Sequence, residues 1–505
     1  MGFEYMAMAV QRMLEPMGLI SLLTGTLIGA IFGLLPGLGG ILSMAVALPF
    51  SYGMDPMNAM LMFAGIMSAE GLGGALPAIL INTPGTAQNA ATCLDGYPMA
   101  QKGQAGRAIA IAAAACMAGS LGGSLVTIVL LPVVKPVIYS FGYQEFFWMC
   151  LFGLITIVVA AQGQMLKGLA GGGIGCLLAS VGYHDMFGVM RWTGGSNYLW
   201  DGIPMVPFVT GLFAISELII YTSKGGSTAS MADLAGVKWV KQTLQGTMDV
   251  VSRPLATLRS VIIGAVVGII PGLGGPVASF VSYTVAMRRS PDKADFGKGA
   301  PEGILVTEVA MNAKDGGALL PTVSFGIPGS PDNAILLGAF LIHGLQPGPL
   351  MIRDHMDIVY ALLLGIILSQ VFNSVVTLLI SPIMAKVSLI PSRIIAPFVL
   401  LLVFFGAYMA KANIHDVGVA LLSGIFGYAM RRAGFPLITV VMGFILGPLV
   451  ERAFLQTLQV ADGNYLAFIN RPFSMALAAL CVLTLAYPFF DKIKGWFGKS
   501  GRAVS

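Results

Sequence analysis

Gly33-Leu-Leu-Pro-Gly-Leu-Gly-Gly40 returns later in the chain as Gly268-Ile-Ile-Pro-Gly-Leu-Gly-Gly275, six of the eight positions identical and Pro36 matched to Pro271 at an offset of 235 residues. A second pair follows in the same order. Leu76-Pro77 and Thr83-Pro84-Gly85-Thr86-Ala87-Gln88-Asn89-Ala90 are answered by Leu320-Pro321 and Ile327-Pro328-Gly329-Ser330-Pro331-Asp332-Asn333-Ala334, at an offset of 244. Two matches in one order make internal duplication the better reading. The difference between the offsets falls most simply on Arg288 to Glu302, a charged segment with no counterpart in the first half.

The motifs lie between long apolar runs. Of 505 residues, 56% are hydrophobic and only 10% are charged, with a mean hydropathy of +0.84. A soluble domain carries about 25% charged residues, so this chain cannot cover a water-facing surface and the bilayer is its solvent. Its 65 glycines and 28 prolines suit membrane helices that pack closely or break in mid-membrane. A crossing takes about 20 apolar residues. Long candidates lie near 17–35, 57–81, 106–134, 145–162, 203–223, 255–271, 304–327, 356–381, 394–410, 413–430, 434–450 and 473–490. Shorter runs cut by Pro-Gly, at 41–50, 165–182, 276–287 and 333–343, read as half-helices or re-entrant hairpins. The expected fold is an all-α polytopic membrane protein of about 10–14 transmembrane segments, with two homologous halves each holding broken helices or re-entrant hairpins.

Residues 1–16 read as an interfacial N-terminal helix, since Glu4, Arg12 and Glu15 sit among Phe3, Met6, Val10, Met13 and Leu14 without a small-residue cleavage site. Residues 17–223 form the first repeat, 224–254 a polar linker, and 255–490 the second repeat with C-terminal helices. The tail 491–505 carries Lys492, Lys494, Lys499 and Arg502, which places the C-terminus in the cytoplasm. The net charge of +5 gathers in loops and this tail, a topology signal that does not suit nucleic acid. Five scattered cysteines without a C-x-x-C pair argue against disulfides or zinc, and four scattered histidines against a metal cluster. No Ser/His pair or paired intramembrane aspartates suggest an enzyme, and no cofactor is expected.

Within hydrocarbon, a proline-glycine break frees backbone groups that lipid cannot satisfy, so it persists only where protein or a water-filled cavity covers it. Paired breaks in corresponding halves point to the midplane site of a secondary transporter, where half-helix N-termini face anionic substrate groups and unwound carbonyls hold the coupling cation. The substrate-binding candidates are Asn82, Thr83, Pro84, Gly85, Thr86 and Asn89 in the first hairpin, and Gly326, Pro328, Gly329, Ser330 and Asn333 in the second. Their hydroxyl and amide groups, beside freed N–H donors, suit a carboxylate. Asp332 would repel an anion. It is assigned to a coupling Na⁺ or H⁺ together with Glu70 and the first breaks at Pro36, Gly37, Pro271 and Gly272. The plainer alternatives are that Thr86, Ser330, Asn89 and Asn333 cap half-helices and that the glycine-rich pair only serves helix packing. Glu217 and Glu308 are further ionisable residues at membrane depth, and Lys314 and Asp315 are placed to neutralise each other.

Gly33 to Gly40 resembles the first signature of a known family. The run Ile81-Asn-Thr-Pro-Gly-Thr-Ala-Gln-Asn-Ala-Ala-Thr-Cys-Leu-Asp-Gly-Tyr-Pro-Met-Ala-Gln-Lys-Gly-Gln-Ala-Gly-Arg107 resembles its second, and Phe325-Gly-Ile-Pro-Gly-Ser330 with His343-Gly-Leu-Gln-Pro-Gly-Pro349 the second-half equivalent. The family is the large membrane subunit of the tripartite tricarboxylate transporters, the TctA family, and the resemblance extends over nearly the whole chain. It implies a bacterial inner-membrane permease that is cation-coupled. The implied partners are a small membrane subunit of about four helices and a periplasmic solute-binding protein that delivers a carboxylate. The matching positions are Pro36 and Gly37, Asn82 to Thr86, Pro271 and Gly272, and Gly326 to Ser330. Asp95-Gly-Tyr-Pro98 also matches and reads as a structural turn, with Lys102 and Arg107 as a basic face. The chain departs from the family's pattern at Gln88 and at Asp332-Asn333, where smaller residues are common. The nearest alternative is a cation channel or cation antiporter built on the same duplication.

Overall fold

The computed structural model describes residues 2–35, 38–160, 165–184, 186–223, 239–291, 293–387 and 392–500. Among them the chain is almost wholly helical. Its described strands are Gly182–His184 and Val189–Arg191, paired antiparallel with Tyr183 opposite Met190. Six helices are long and apolar enough to cross a membrane: Pro16–Leu34, Pro56–Ile81, Cys93–Tyr139, Met205–Ser223, Met356–Ile380 and Leu437–Val460. A seventh results if Trp239–Val251 and Pro254–Ile269, bent by 71°, count as one span. Shorter apolar helices, Gly39–Ser51, Met165–Ala179, Pro331–Ile342, Ile394–Met409 and Pro472–Ala486, take up other apolar runs, several of them where breaks cut the sequence. The protein is an all-α, multi-pass membrane protein. Its residues fall into two compact units, one of residues 1–136, 204–324 and 328–429, the other of 137–203, 325–327 and 430–505.

Two helices of the first unit carry the ionisable residues. The Glu70 helix, Pro56–Ile81, starts where the Asp55 carboxylate accepts the Met57 N–H at 3.0 Å, with Pro56 in the first turn. Every residue from Ala59 to Ile81 is buried, as befits a helix that is apolar all round. Pro77 lies in its last turns, and Asn82 ends it in the left-handed region at φ 53°. The Lys314 helix, Pro301–Phe325, repeats this plan: Pro321 lies near its end and Gly326 follows at φ 68°.

Each of these helices packs against a neighbour through glycine. A Cβ on Gly25 or Gly29 of Pro16–Leu34 would fall on the Met62 or Ile66 carbonyl of the Glu70 helix. A Cβ on Gly264 or Gly268 of Pro254–Ile269 would likewise fall on the Ala310 or Lys314 carbonyl. Such close approach is how membrane helices gain dispersion contacts without a hydrophobic drive. Gly29→Ala is expected to cost about 1–3 kcal/mol by overpacking. Gly418→Ala, where a Cβ meets nothing within 4 Å, is expected to cost nothing, since a helix interior favours Ala. Thermal unfolding of the two purified variants checks this, and equal melting temperatures would contradict it.

Met356–Val387 adds a polar stripe. Ser68 donates to the Ile366 carbonyl at 2.8 Å, Asn373 to the Ala69 carbonyl at 3.1 Å and Ser374 to the Ala113 carbonyl at 3.0 Å, while Thr26 and Ser369 share a hydrogen bond of 2.8 Å. Asp95 to Pro98, expected as a turn, lies inside the helix Cys93–Gln101. The Asp95 carboxylate accepts the Tyr283 hydroxyl at 2.9 Å and the backbone N–H groups of Gly297, Gly299 and Ala300, each at 2.8 Å. It thereby fastens the segment that has no counterpart in the first repeat. Lys102 and Arg107 do not form a free basic face. Lys102 donates to the Lys298 carbonyl at 2.6 Å, and Arg107 makes two hydrogen bonds to Asp249 at 2.7 and 3.0 Å.

In the second unit, Met165–Ala179 packs on Leu437–Val460, where a Cβ on Gly175 would meet the Val440 carbonyl and one on Gly443 the Gly172 carbonyl. The buried Glu145 carboxylate accepts the Ser474 hydroxyl at 2.6 Å and the Gly142 N–H at 2.7 Å. Arg191 binds Glu451 through two hydrogen bonds at 2.8 and 3.1 Å.

Candidate functional site

The two Pro-Gly hairpins are built alike. Gly85 is pressed between the Gly33 carbonyl and Gly74, and Gly329 between the Gly268 carbonyl and Ala318, so neither position has room for a Cβ. The Gly85 N–H donates to the Gly74 carbonyl at 3.1 Å, tying the first hairpin to its own helix. After each turn the chain re-enters a helix with an extended residue, Thr86 at φ −122° and Ser330 at φ −147°. Neither hydroxyl makes a capping hydrogen bond, so these residues are not there as ordinary N-caps.

The hydrogen bonding of the hairpins differs. In the first, Thr86 donates to Asn89 Oδ1 at 2.6 Å, and the Asn89 amide donates to the Gly71 carbonyl at 3.0 Å and to Glu308 at 3.3 Å. In the second, the Ser330 hydroxyl and both amide atoms of Asn333 are buried with no hydrogen-bond partner among the described residues, as is the Ser324 hydroxyl. A buried polar group left unpaired costs about 1–3 kcal/mol, which is why such groups concentrate at functional positions. Asn82 is exposed and serves as the helix stop, and the Thr83 hydroxyl donates to the Ile81 carbonyl at 3.2 Å. Pro84 is half-buried, while Gly326, Pro328 and Gly329 are buried along the second turn.

The carboxylates gather on the long helices. Glu70, 2% exposed, lies against Gly40 at the start of Gly39–Ser51, and its Oε1 accepts the Gln88 amide at 3.3 Å. Its Oε2 has no hydrogen-bond partner among the described residues. Gln88 in turn lies against Gly275, and its carbonyl accepts the Ser279 hydroxyl at 2.8 Å. Lys314, fully buried, forms an ion pair with Asp315 and stands 3.8 Å from Asp332. The Glu70 carboxyl lies within electrostatic reach of Lys314, Asp315 and Asp332, so these four form one buried ionisable group.

Glu308 forms a second centre, accepting from the Thr92 hydroxyl at 2.5 Å, the Cys116 thiol at 3.2 Å and Asn89. Gly272 adopts φ 83° in the second break, beside a half-buried Pro271, whereas Pro36 and Gly37 lie outside the described residues. Among the described residues no three His, Cys, Asp or Glu side chains converge as a metal cage. Sequence reasoning did not assign Gln88, Thr92 or Cys116 to the site. The available signal was their place in the motif or on apolar helices beside Glu70 and Glu308.

The glycine-crowded hairpins thus occur as a pair, one in each repeat, beside buried ionisable side chains. The model of the tripartite tricarboxylate transporter TctA family matches residues 19–442. The chain belongs to that family. A TctA-family chain is the permease of a tripartite transporter, so this protein works with further subunits and is grouped with transporters. It is similar to an uncharacterised 52.8 kDa protein in the TAR-I ttuC' 3' region of Agrobacterium vitis, 30% identical over 486 residues that cover 96% of each chain. A protein in the TAR-II ttuC' 3' region of the same organism is 31% identical over 228 residues, 45% of this chain and 94% of that one. No solved structure matches the chain.

Proposed function

We propose that this TctA-family chain carries out cation-coupled secondary active uptake of a di- or tricarboxylate or related organic acid across the bacterial inner membrane. A periplasmic solute-binding protein would deliver the acid, and a small four-helix membrane subunit would complete the system. The observation that carries this reading is the second hairpin, where Ser330 and Asn333 present hydroxyl and amide groups that have no hydrogen-bond partner among the described residues, next to Asp332. Ser330 and the Asn333 amide donate to the carboxylate at the start of Pro331–Ile342, where the helix dipole favours an anion. Thr86 and Asn89, hydrogen-bonded to each other, hold the first hairpin in shape as the facing wall of the cradle. The tight turns of Asn82, Thr83, Pro84, Gly85, Gly326, Pro328 and Gly329 shape it. The coupling cation is taken near Glu70 and Asp332, with the breaks at Pro36, Gly37, Pro271 and Gly272 bringing backbone carbonyls within reach. Binding anion and cation together lowers the cost of burying either alone.

Residues 17–223 and 255–490 are taken as the two repeats around the linker 224–254, whose first part, 224–238, lies outside the described residues. Alternating access then moves the element carrying both hairpins against a scaffold, with residues 1–16 at the interface and the tail 491–505 in the cytoplasm. Uptake of labelled di- and tricarboxylates into vesicles holding the complete system, under imposed Na⁺ or H⁺ gradients, tests this. Accumulation of one acid that depends on one gradient is the expected result. Passage of ions without any organic acid would favour a channel or an antiporter instead.

A further inference from the structure

Counting 244 residues from the first repeat to the second carries Pro77 to Pro321, Asn82 to Gly326 and Thr86 to Ser330. The same count carries Glu70 to Lys314 and Gln88 to Asp332. The surroundings correspond: a Cβ on Gly33 would meet the Glu70 carbonyl, and one on Gly268 the Lys314 carbonyl. Equivalent positions thus hold a carboxylate and an amide in one repeat, and an ammonium and a carboxylate in the other. In the second repeat the ammonium stands between Asp315 and Asp332. In the first, the Glu70 carboxylate has one oxygen on Gln88 and the other without a hydrogen-bond partner among the described residues.

The charges do not balance. Three carboxylates, those of Glu70, Asp315 and Asp332, face one ammonium within the same buried group. The sum leaves two negative charges. Asp315 and Asp332 share the Lys314 ammonium, while Glu70 has no cation beside it among the described residues. Buried charge without compensation is strongly unfavourable, so positive charge is missing, first of all at Glu70. A divalent ion is a poor fit, because no three of these side chains converge into a cage among the described residues.

We infer that Lys314 is a tethered cation, its ammonium standing in the second repeat where the first repeat takes a mobile monovalent cation at the Glu70 carboxylate. The amine thereby sets how many cations accompany each cycle. This rests on the cation-coupled reading above, and names the residue that limits the coupling. Na⁺ and H⁺ share the required charge, and the test separates them.

The test uses the purified full-length chain, its thermal unfolding followed as NaCl replaces choline chloride and, separately, as pH is lowered. A ligand that binds the folded state raises stability in proportion to the logarithm of its concentration, with a slope set by the number of sites. The wild type is expected to gain stability from one of the two cations with a slope of about one ion, and Glu70→Gln to lose that gain. Lys314→Gln leaves three carboxylates without an ammonium, so its slope is expected to rise to about two ions. Lys314→Gln combined with Asp315→Asn restores the net charge and should return the slope to the wild-type value, and Lys314→Arg should keep it. If Lys314→Gln alone does not fold, the charge-restored double variant decides. Folding with a one-ion slope supports the tethered cation, and failure to fold overturns it. A Lys314→Gln slope equal to wild type, or a wild type indifferent to both cations, also overturns it. Uptake by the wild-type system is measured in parallel. Accumulation of the acid that needs no cation gradient would remove the cation-coupled reading, whatever the unfolding slopes show.

Discussion

Asn333→Ala is expected to abolish most uptake while leaving stability nearly unchanged, whereas Asn89→Ala is expected to destabilise the fold. The two residues stand at equivalent positions, yet their surroundings are opposite. Asn89 accepts from Thr86 and donates to the Gly71 carbonyl and to Glu308. Truncating it leaves a buried carbonyl, a hydroxyl and a carboxylate short of a partner, a loss of about 3 kcal/mol. Asn333 has both amide atoms unpartnered among the described residues, so its truncation removes no internal hydrogen bond and is expected to shift stability by less than about 1 kcal/mol. If those atoms hold the cargo, losing them costs at least one ligand hydrogen bond, about a tenfold or greater fall in uptake. Thermal unfolding and initial uptake rates of both variants, measured in the same preparations, separate the two effects. Equal stability losses would show that the hairpins are equally self-satisfied, and wild-type uptake in Asn333→Ala would remove the second hairpin from the site.

Asp95→Ala is expected to cost about 3 kcal/mol, since it removes an acceptor shared by three backbone N–H groups and the Tyr283 hydroxyl. The damage should concentrate in the segment between Arg288 and Glu302, which the carboxylate fastens. Limited proteolysis there is expected to accelerate in Asp95→Ala. Tyr283→Phe removes one of the four donors and should cost about 1 kcal/mol. Equal losses in the two variants would show that the backbone donors contribute nothing.

What the sequence makes legible is local. Pro77 and Pro321 cut the helical ladder, Asn82 and Gly326 supply left-handed stops, and the Pro-Gly pairs that follow can only be turns, so both hairpins can be placed before any coordinates. The burial of Glu70 follows from its place in an unbroken apolar run. What stays hidden depends on distant partners. Thr92 and Cys116 meet Glu308 across about two hundred residues of chain, and nothing near Arg107 announces Asp249. Asp95 to Pro98 carries turn residues, yet it is helical, with Asp95 held by the loop after Arg289. The repeat offset sets Glu70 against Lys314 in the sequence itself, but the grouping of Lys314 with Asp315 and Asp332 depends on the turn after Phe325 folding back on the helix. The gathering of 137–203 with 430–505 likewise follows from glycine-mediated helix contacts, which no local pattern encodes.

The most direct test of a shared carboxylate and cation site in the hairpins is equilibrium binding of a labelled carboxylate to the purified chain while Na⁺ or H⁺ is titrated. Affinity is expected to rise with one of the two cations, and the carboxylate should raise the affinity for that cation by the same factor. Ser330→Ala and Asn333→Ala should lose the effect. Carboxylate affinity that is the same at every cation concentration, or cation-linked binding that survives in both variants, would contradict it.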